Sequence, residues 1–352
     1  MESKRLVEHF AEIEDPRRAG YAHRHDLVEI LVISVCAMFS DVEGFEDIAD
    51  WARVKEPWLR RFLKLKNGIP SHDTFSRVFR LLEPKAFESA FRDWVSSVLT
   101  AFGQIAVDGK SLRGSAHGEA GPLHMVSAFA ADLGLVLGQE AVADKSNEIT
   151  AIPVLLEALA IKGCLVSIDA MGTQREIART IVGRGADYLL AVKNNQPSLR
   201  AAIEDAFADV PMQGFEHTER SHGRIVLQHA QVIANSGHID AASWPGCQRL
   251  GRVVSLRAAG NERQVLETRY YISSAELDHR ALFVSARNHW AVENNLHWSL
   301  DVVFREDASK VCKDHGPQNL AVIRKVILNL LRLDSAPPES QLQEATKDGW
   351  MG

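Results

Sequence analysis

Two short apolar runs, Gln104-Ile105-Ala106-Val107 and Leu165-Val166-Ser167-Ile168, each close on an aspartate, Asp108 and Asp169. Few features restrict the fold of this chain more. Short apolar runs bounded by turn signals fit strands buried in a sheet, whereas aspartate is depleted in strands and its charge is costly to bury without a partner. A carboxylate at a strand end is tolerable where the sheet edge opens to water or to a cation. In open α/β sheets that edge is also where ligands bind. A third acid, Glu293, lies in HWAVENNLHW, a Trp- and His-rich segment that reads as helix. Two strand-end aspartates and a helical glutamate make a cage for a divalent metal. Magnesium favours such a set: a few carboxylates, retained waters and substrate phosphate oxygens. That combination points to phosphoryl transfer on a nucleic acid.

The rest of the chain supplies a frame for such a sheet. Residues 1–98 read as helices, with amphipathic stretches at 26–39, 45–54, 56–65, 72–82 and 85–99 separated by Gly44, Pro57, Gly68-Ile69-Pro70 and Pro84. Ser71 stands where an N-cap belongs, and Asp73 suits a first helical turn. From about residue 103 the pattern changes to strand-like runs at 104–108, 123–130 and 134–141. Helices near 149–161, 173–183 and 197–208 then alternate with strands at 165–169 and 187–192. This order predicts an α/β fold with a mixed sheet flanked by helices. A β-rich block follows at about 209–275, then helices near 279–300 and 317–333. The polar tail 334–352 has the composition of a disordered segment.

Each acid also has a plainer reading. Asp108 is followed by Gly109, and an Asp-Gly step is foremost a turn signal, so Asp108 could simply order its own loop after a sharp turn. His289, Glu293, His297 and Asp301 are spaced four apart and form one slowly drifting stripe, which on most helices is a solvated face. The same stripe lacks the HExxH spacing and the fourth ligand of a zinc site. Candidate groups for holding DNA are Lys110 and Arg113 just after Asp108, Lys193 and Asn195 after the strand DYLLAV, His222 and Arg224 in the β block, and His297.

Composition narrows the function classes. The net charge of −6 means that any nucleic-acid contact depends on local basic surfaces, with metal offsetting repulsion at the carboxylates. The four cysteines, Cys36, Cys164, Cys247 and Cys312, form no CxxC pair, as expected of a reduced cytoplasmic compartment. The N-terminal segment is charged throughout, unlike a signal peptide, and the apolar run Leu27 to Phe39 is too short to span a bilayer, so no membrane partner is expected. Walker-type loops, Rossmann glycine fingerprints and GxSxG elbows are absent from the sequence.

Seven ordered stretches carry a resemblance: GIPSHDTFSRVF (68–79), VDGKSLRGS (107–115), VSAFAADLGLVLGQ (126–139), KSNEITAIPVLL (145–156), IDAMGTQ (168–174), DYLLAVKNNQ (187–196) and HWAVENNLHWSLDVVFRED (289–307). Together they resemble bacterial insertion-sequence DDE transposases of the H-repeat-associated type. The resemblance implies an RNase H-like catalytic core over 99–333, with Asp108, Asp169 and Glu293 as the metal-binding catalytic triad. It further implies a β-rich insertion before the glutamate and an accompanying N-terminal all-α domain over 1–98. Two positions depart from the wider pattern around the glutamate, since His289 stands where an arginine is usual and Leu300 where a lysine is usual. In the β block, Val226 stands where this type often shows an acid.

The expected activity is Mg²⁺-dependent cleavage at the ends of an insertion element and strand transfer into target DNA, with Mn²⁺ as a substitute metal. The expected partners are terminal inverted repeats, target DNA and a second copy of the chain, as a DNA-bound dimer associated with the nucleoid. Two alternatives share the site: an idle DNA-binding protein descended from such an enzyme, and a metal-dependent nuclease without strand transfer.

Overall fold

The computed structural model describes residues 5–17, 23–99, 103–117, 121–143, 146–221, 224–259 and 262–335. The tail expected to be disordered lies outside these residues from 336 onward. The N-terminal part is helical: α1 Leu6–Ala11, α2 Leu27–Phe39, α3 Phe45–Leu59, α4 His72–Leu81 and α5 Pro84–Val98. Pro57 does not separate two helices as the sequence suggests. It sits inside the last turn of α3, and the helix runs on through Trp58 and Leu59. Ser71 occupies the N-cap position of α4, but its hydroxyl meets Thr74 Oγ1 at 3.1 Å and caps no amide.

Strands β1 Gln104–Leu112, β2 Leu123–Ala130 and β3 Leu135–Ala141 form an antiparallel meander, and β4 Leu165–Ile168 and β5 Asp187–Val192 continue it in parallel. Helices α6 Glu148–Glu157, α7 Arg175–Gly183 and α8 Pro197–Ala206 connect or follow them. The β-rich block consists of β6 Phe215–Ser221, β7 Arg224–Ala234, β8 Arg249–Ala259 and β9 Glu262–Ser273. It is no separate sheet. Strand β9 pairs with β5, Leu189 opposite Ser273, so the nine strands among the described residues share one mixed sheet in the order β3-β2-β1-β4-β5-β9-β8-β7-β6. This is the mixed α/β architecture expected of the RNase H-like core.

The sheet is covered from both sides. Helix α6 packs on β2 and β3, while α9 His279–His289 packs on β1, β4, β6 and β7. The last helix, α10 Gly316–Ser335, lies against β3 and against α2, α4 and α5, joining the N-terminal helices to the sheet. It also protects the outer edge of β3. Asn329 accepts from Val136 N–H at 2.8 Å and donates to Val136 C=O at 2.8 Å, completing the ladder as a neighbouring strand would.

Candidate active site

Asp108 is not where the sequence pattern places it. Strand β1 runs on to Leu112 against β2, with Asp108 opposite Ser127, so no turn follows at Gly109. What ends near Asp108 is the pairing with β4, whose last partners are Val107 and Ile168. Asp169 follows directly, so the two aspartates sit side by side where β1 and β4 part. Asp169 accepts from the amides of Met171 at 3.0 Å and Gly172 at 3.2 Å through one oxygen, Oδ1, which fixes the carboxylate at the start of the loop.

Alternation along β1 sends Asp108 and Gly109 to opposite faces. Asp108 Oδ2 faces His297 Nδ1 at 3.6 Å. A β-carbon on Gly109 would lie 2.1 Å from Glu148 Oε1 and 2.7 Å from His124 Nε2. The glycine therefore serves close approach of a side-chain pair rather than a turn. His124 is held between Ser111 Oγ at 2.8 Å and Glu148 Oε1 at 2.5 Å.

The helical segment after α9 changes its winding. Val292–His297 and Ser299–Val303 are π-helical, a geometry that is rare and concentrated at functional sites. The stripe that could have been a solvated face instead meets the sheet. His289 Nδ1 lies 3.2 Å from Ser167 Oγ on β4, His297 meets Asp108, and Asp301 Oδ1 lies 2.7 Å from Lys110 Nζ. Glu293 lines a cleft of about 350 Å³ together with Asp169, Lys193, Arg269, His289 and Trp290. At its rim Arg269 stacks on the Trp290 ring, 4.1 Å from the centroid.

Electrostatics single out Asp108. Burial, then the charge of Asp169, with smaller contributions from Glu148 and Glu293, push its carboxyl up to about 7. Burial pulls His289 down to about 4, and burial with the nearby Lys325 and Lys110 does the same to His297. Both imidazoles are therefore neutral near pH 7, and the Asp108–His297 contact is not an ion pair there. Hard carboxylate oxygens brought together beside a buried acid are a donor type that suits a divalent cation. The spacing is looser than the sequence reading expects. Among the described residues no three His, Cys, Asp or Glu side chains are grouped so that they could hold one ion.

The candidate DNA contacts divide. Arg113, with its side chain 81% exposed, and the exposed Lys193 are available to a phosphate. Lys110 is turned inward among Asp301, Glu306 and Asp307, and its side chain is only 10% exposed. Asn195 donates its amide to Ala170 C=O, stitching the loop after β5 to the loop after β4. His297 is neutral and mostly buried against Asp108. Only the backbone of Arg224, which opens β7, is described, and His222 lies outside the described residues. The sequence reading missed Glu148, His124 and Arg269 as neighbours of the site, because nothing local marks contacts made across strands.

Residues 102–330 match the Transposase DDE domain model and residues 7–95 match the DDE_Tnp_1-associated model. The H repeat-associated protein YhhI of Escherichia coli K12 is 39% identical over 95% of this chain and 92% of its own length. YbfL of the same strain is 39% identical over the same shares, and YncI of Escherichia coli O157:H7 is 37% identical over 94% of this chain and 88% of its own. Among solved structures, a piggyBac transposase synaptic complex with hairpin DNA aligns with 94% of this chain and 73% of that chain, at 11% identity and a TM-score of 0.40. With a family model spanning most of the sheet and relatives matched almost end to end, the chain belongs to the DDE transposases of the H-repeat-associated type.

Proposed function

We propose that this transposase cuts DNA at the ends of an insertion element and joins them to target DNA, with Asp108, Asp169 and Glu293 as its catalytic carboxylates. The observation that carries this reading is geometric: Asp108 and Asp169 sit side by side where β1 and β4 part, next to the cleft that Asp169 and Glu293 line, and burial with those neighbouring charges pushes the Asp108 carboxyl up. A buried acid held among like charges is unfavourable for the fold alone and favourable for a cation site. The three acids, which are not grouped around one ion position in the structure, would have to draw together to hold Mg²⁺, or Mn²⁺ in its place. The bound ion would activate the attacking oxygen and stabilise the leaving one.

The protein's own groups do the rest. The carboxylate of Asp169 is fixed by two backbone amides through one oxygen, Oδ1. Arg113 and Lys193 would neutralise phosphates on either side of the acids. The cleft beside Asp169 and Glu293, bounded by Arg269 and Trp290, leaves room for the strand being cut. DNA would be the substrate, and a second copy of the chain would hold the other end. The N-terminal helices over 1–98 would act as a domain of their own beside a catalytic domain over 99–333.

The test is an assay of the purified chain with Mg²⁺ or Mn²⁺ on DNA carrying the inverted repeats that flank its reading frame. Cleavage and strand-transfer products are expected. Cleavage without joining would favour the nuclease, and binding without cleavage the idle DNA-binding protein.

A further inference from the structure

We propose that Lys110 positions the catalytic carboxylates by strapping the helical segment that carries Glu293 to the strand that carries Asp108, instead of holding a DNA phosphate. What the carboxylates do rests on the function proposed above. Lys110 lies two residues beyond Asp108 on β1, and strand alternation puts both side chains on one face. Its ammonium lies 2.7 Å from Asp301 Oδ1, 3.1 Å from Asp307 Oδ1 and 3.4 Å from Glu306 Oε2. All three acids belong to the segment that follows Glu293. Asp301 is in the second π-helical stretch, and Glu306 and Asp307 form a short 3₁₀ turn.

Other contacts hold the same segment. The Arg113 amide donates to Asp307 Oδ1 at 3.3 Å, and Arg324 of α10 approaches Glu306 Oε1 at 3.7 Å from the far side. Gly114 is pressed so close to the segment that a β-carbon there would meet Ser309 C=O at 2.0 Å. A π-helical stretch is a poor geometry on its own account, so its register must be set from outside. Lys110 ties it to β1 two residues from Asp108, beside the contact of His297 with Asp108 itself. An ammonium has three donors, and here three carboxylates surround it. Meeting a phosphate would mean leaving the buried Glu306 and the partly buried Asp301 and Asp307 without that cation, an unfavourable exchange.

The test uses the full chain as Lys110→Met and Asp301→Asn, with MnCl₂ and a random-sequence DNA duplex as probes. Mn²⁺ is titrated while the melting temperature is followed, and duplex affinity is measured over a range of salt. Both variants should need roughly tenfold more Mn²⁺ for half-maximal stabilisation, the scale on which lost outer-shell support weakens metal sites. The salt slope of duplex binding should match the wild type. A slope shallower by about one in Lys110→Met, with an unchanged Mn²⁺ midpoint, would make Lys110 a phosphate contact and overturn the proposal. If Lys110→Met does not fold, Asp301→Asn decides, because it leaves Lys110 paired with two acids; an unchanged Mn²⁺ midpoint there overturns the strap. Wild type that ignores Mn²⁺ altogether would overturn the metal reading as well, so the two failures are told apart.

Discussion

Glu148 occupies the space that a side chain on Gly109 would need: its Oε1 is 2.1 Å from where the β-carbon would stand. The pair it forms with His124 is part-buried, so it cannot swing freely aside. In an open strand, replacing glycine with alanine would stabilise by about 0.5–1 kcal/mol. Here the sign reverses. Gly109→Ala should destabilise by about 1–3 kcal/mol, the cost of overpacking. Adding Glu148→Ala should recover part of the loss. Urea unfolding of the single and double variants measures both, and an unchanged midpoint for Gly109→Ala would contradict the contact.

A buried lysine gives a pH signature. Lys325 on α10 donates to Gln139 Oε1 at 2.6 Å, and burial lowers its pKa from 10.5 to about 8. The folded state therefore binds fewer protons than the unfolded state between those two values. By linkage, this group makes the fold more stable as pH rises from about 8 to 10.5, and its contribution is least favourable below about 8, where it is charged in both states. Lys325→Met should flatten this part of the stability profile. Melting temperatures of both proteins across that range are the check.

Much of the frame was legible because it depends on local patterns. The runs ending in Asp108 and Asp169 marked two neighbouring strands of the sheet, and the β-rich block at about 209–275 holds β6 to β9. Other features depend on distant partners. The Asp-Gly step reads as a turn, yet Gly109 stays in the strand because Glu148 and His124 cross above it. The His289-Glu293-His297-Asp301 stripe reads as solvated, yet it meets Ser167, Asp108 and Lys110 because the helix unwinds to π geometry after Trp290. Lys110 reads as a free cation because its three acids lie far along the chain. Local propensity carries none of this information.

The exposed cation near the acids should reveal itself in salt dependence. Arg113 has its side chain 81% exposed and only a 3.5 Å contact with Asp307, so little opposes its turning to a phosphate. If it neutralises one phosphate, Arg113→Ala should make the log–log salt slope of DNA binding shallower by about one. The effect should be the same for any duplex sequence. Fluorescence anisotropy over a range of salt measures it, and an unaltered slope would remove Arg113 from the interface.

The carboxylates should separate catalysis from binding. Burial and the neighbouring acids raise the Asp108 pKa from 3.8 to about 7, so the folded state is penalised as pH climbs between these values and the carboxylate ionises. Asp108→Asn removes that penalty, and in metal-free buffer near pH 8 the variant should melt higher than the wild type. A divalent ion should stabilise the wild type and do much less for Asp108→Asn, Asp169→Asn or Glu293→Gln. Cleavage and joining should fall at least roughly a hundredfold in each variant, the scale on which a principal electrostatic stabiliser contributes to rate. DNA affinity without metal should survive or increase, because negative charge has been removed from the surface that faces the phosphates. Calorimetric melting with and without Mn²⁺, alongside cleavage and binding assays on the same proteins, reads all of these. Full cleavage by Asp108→Asn would exclude Asp108 from the chemistry, whereas loss of binding in parallel with cleavage would mean that these acids hold the fold and not the metal.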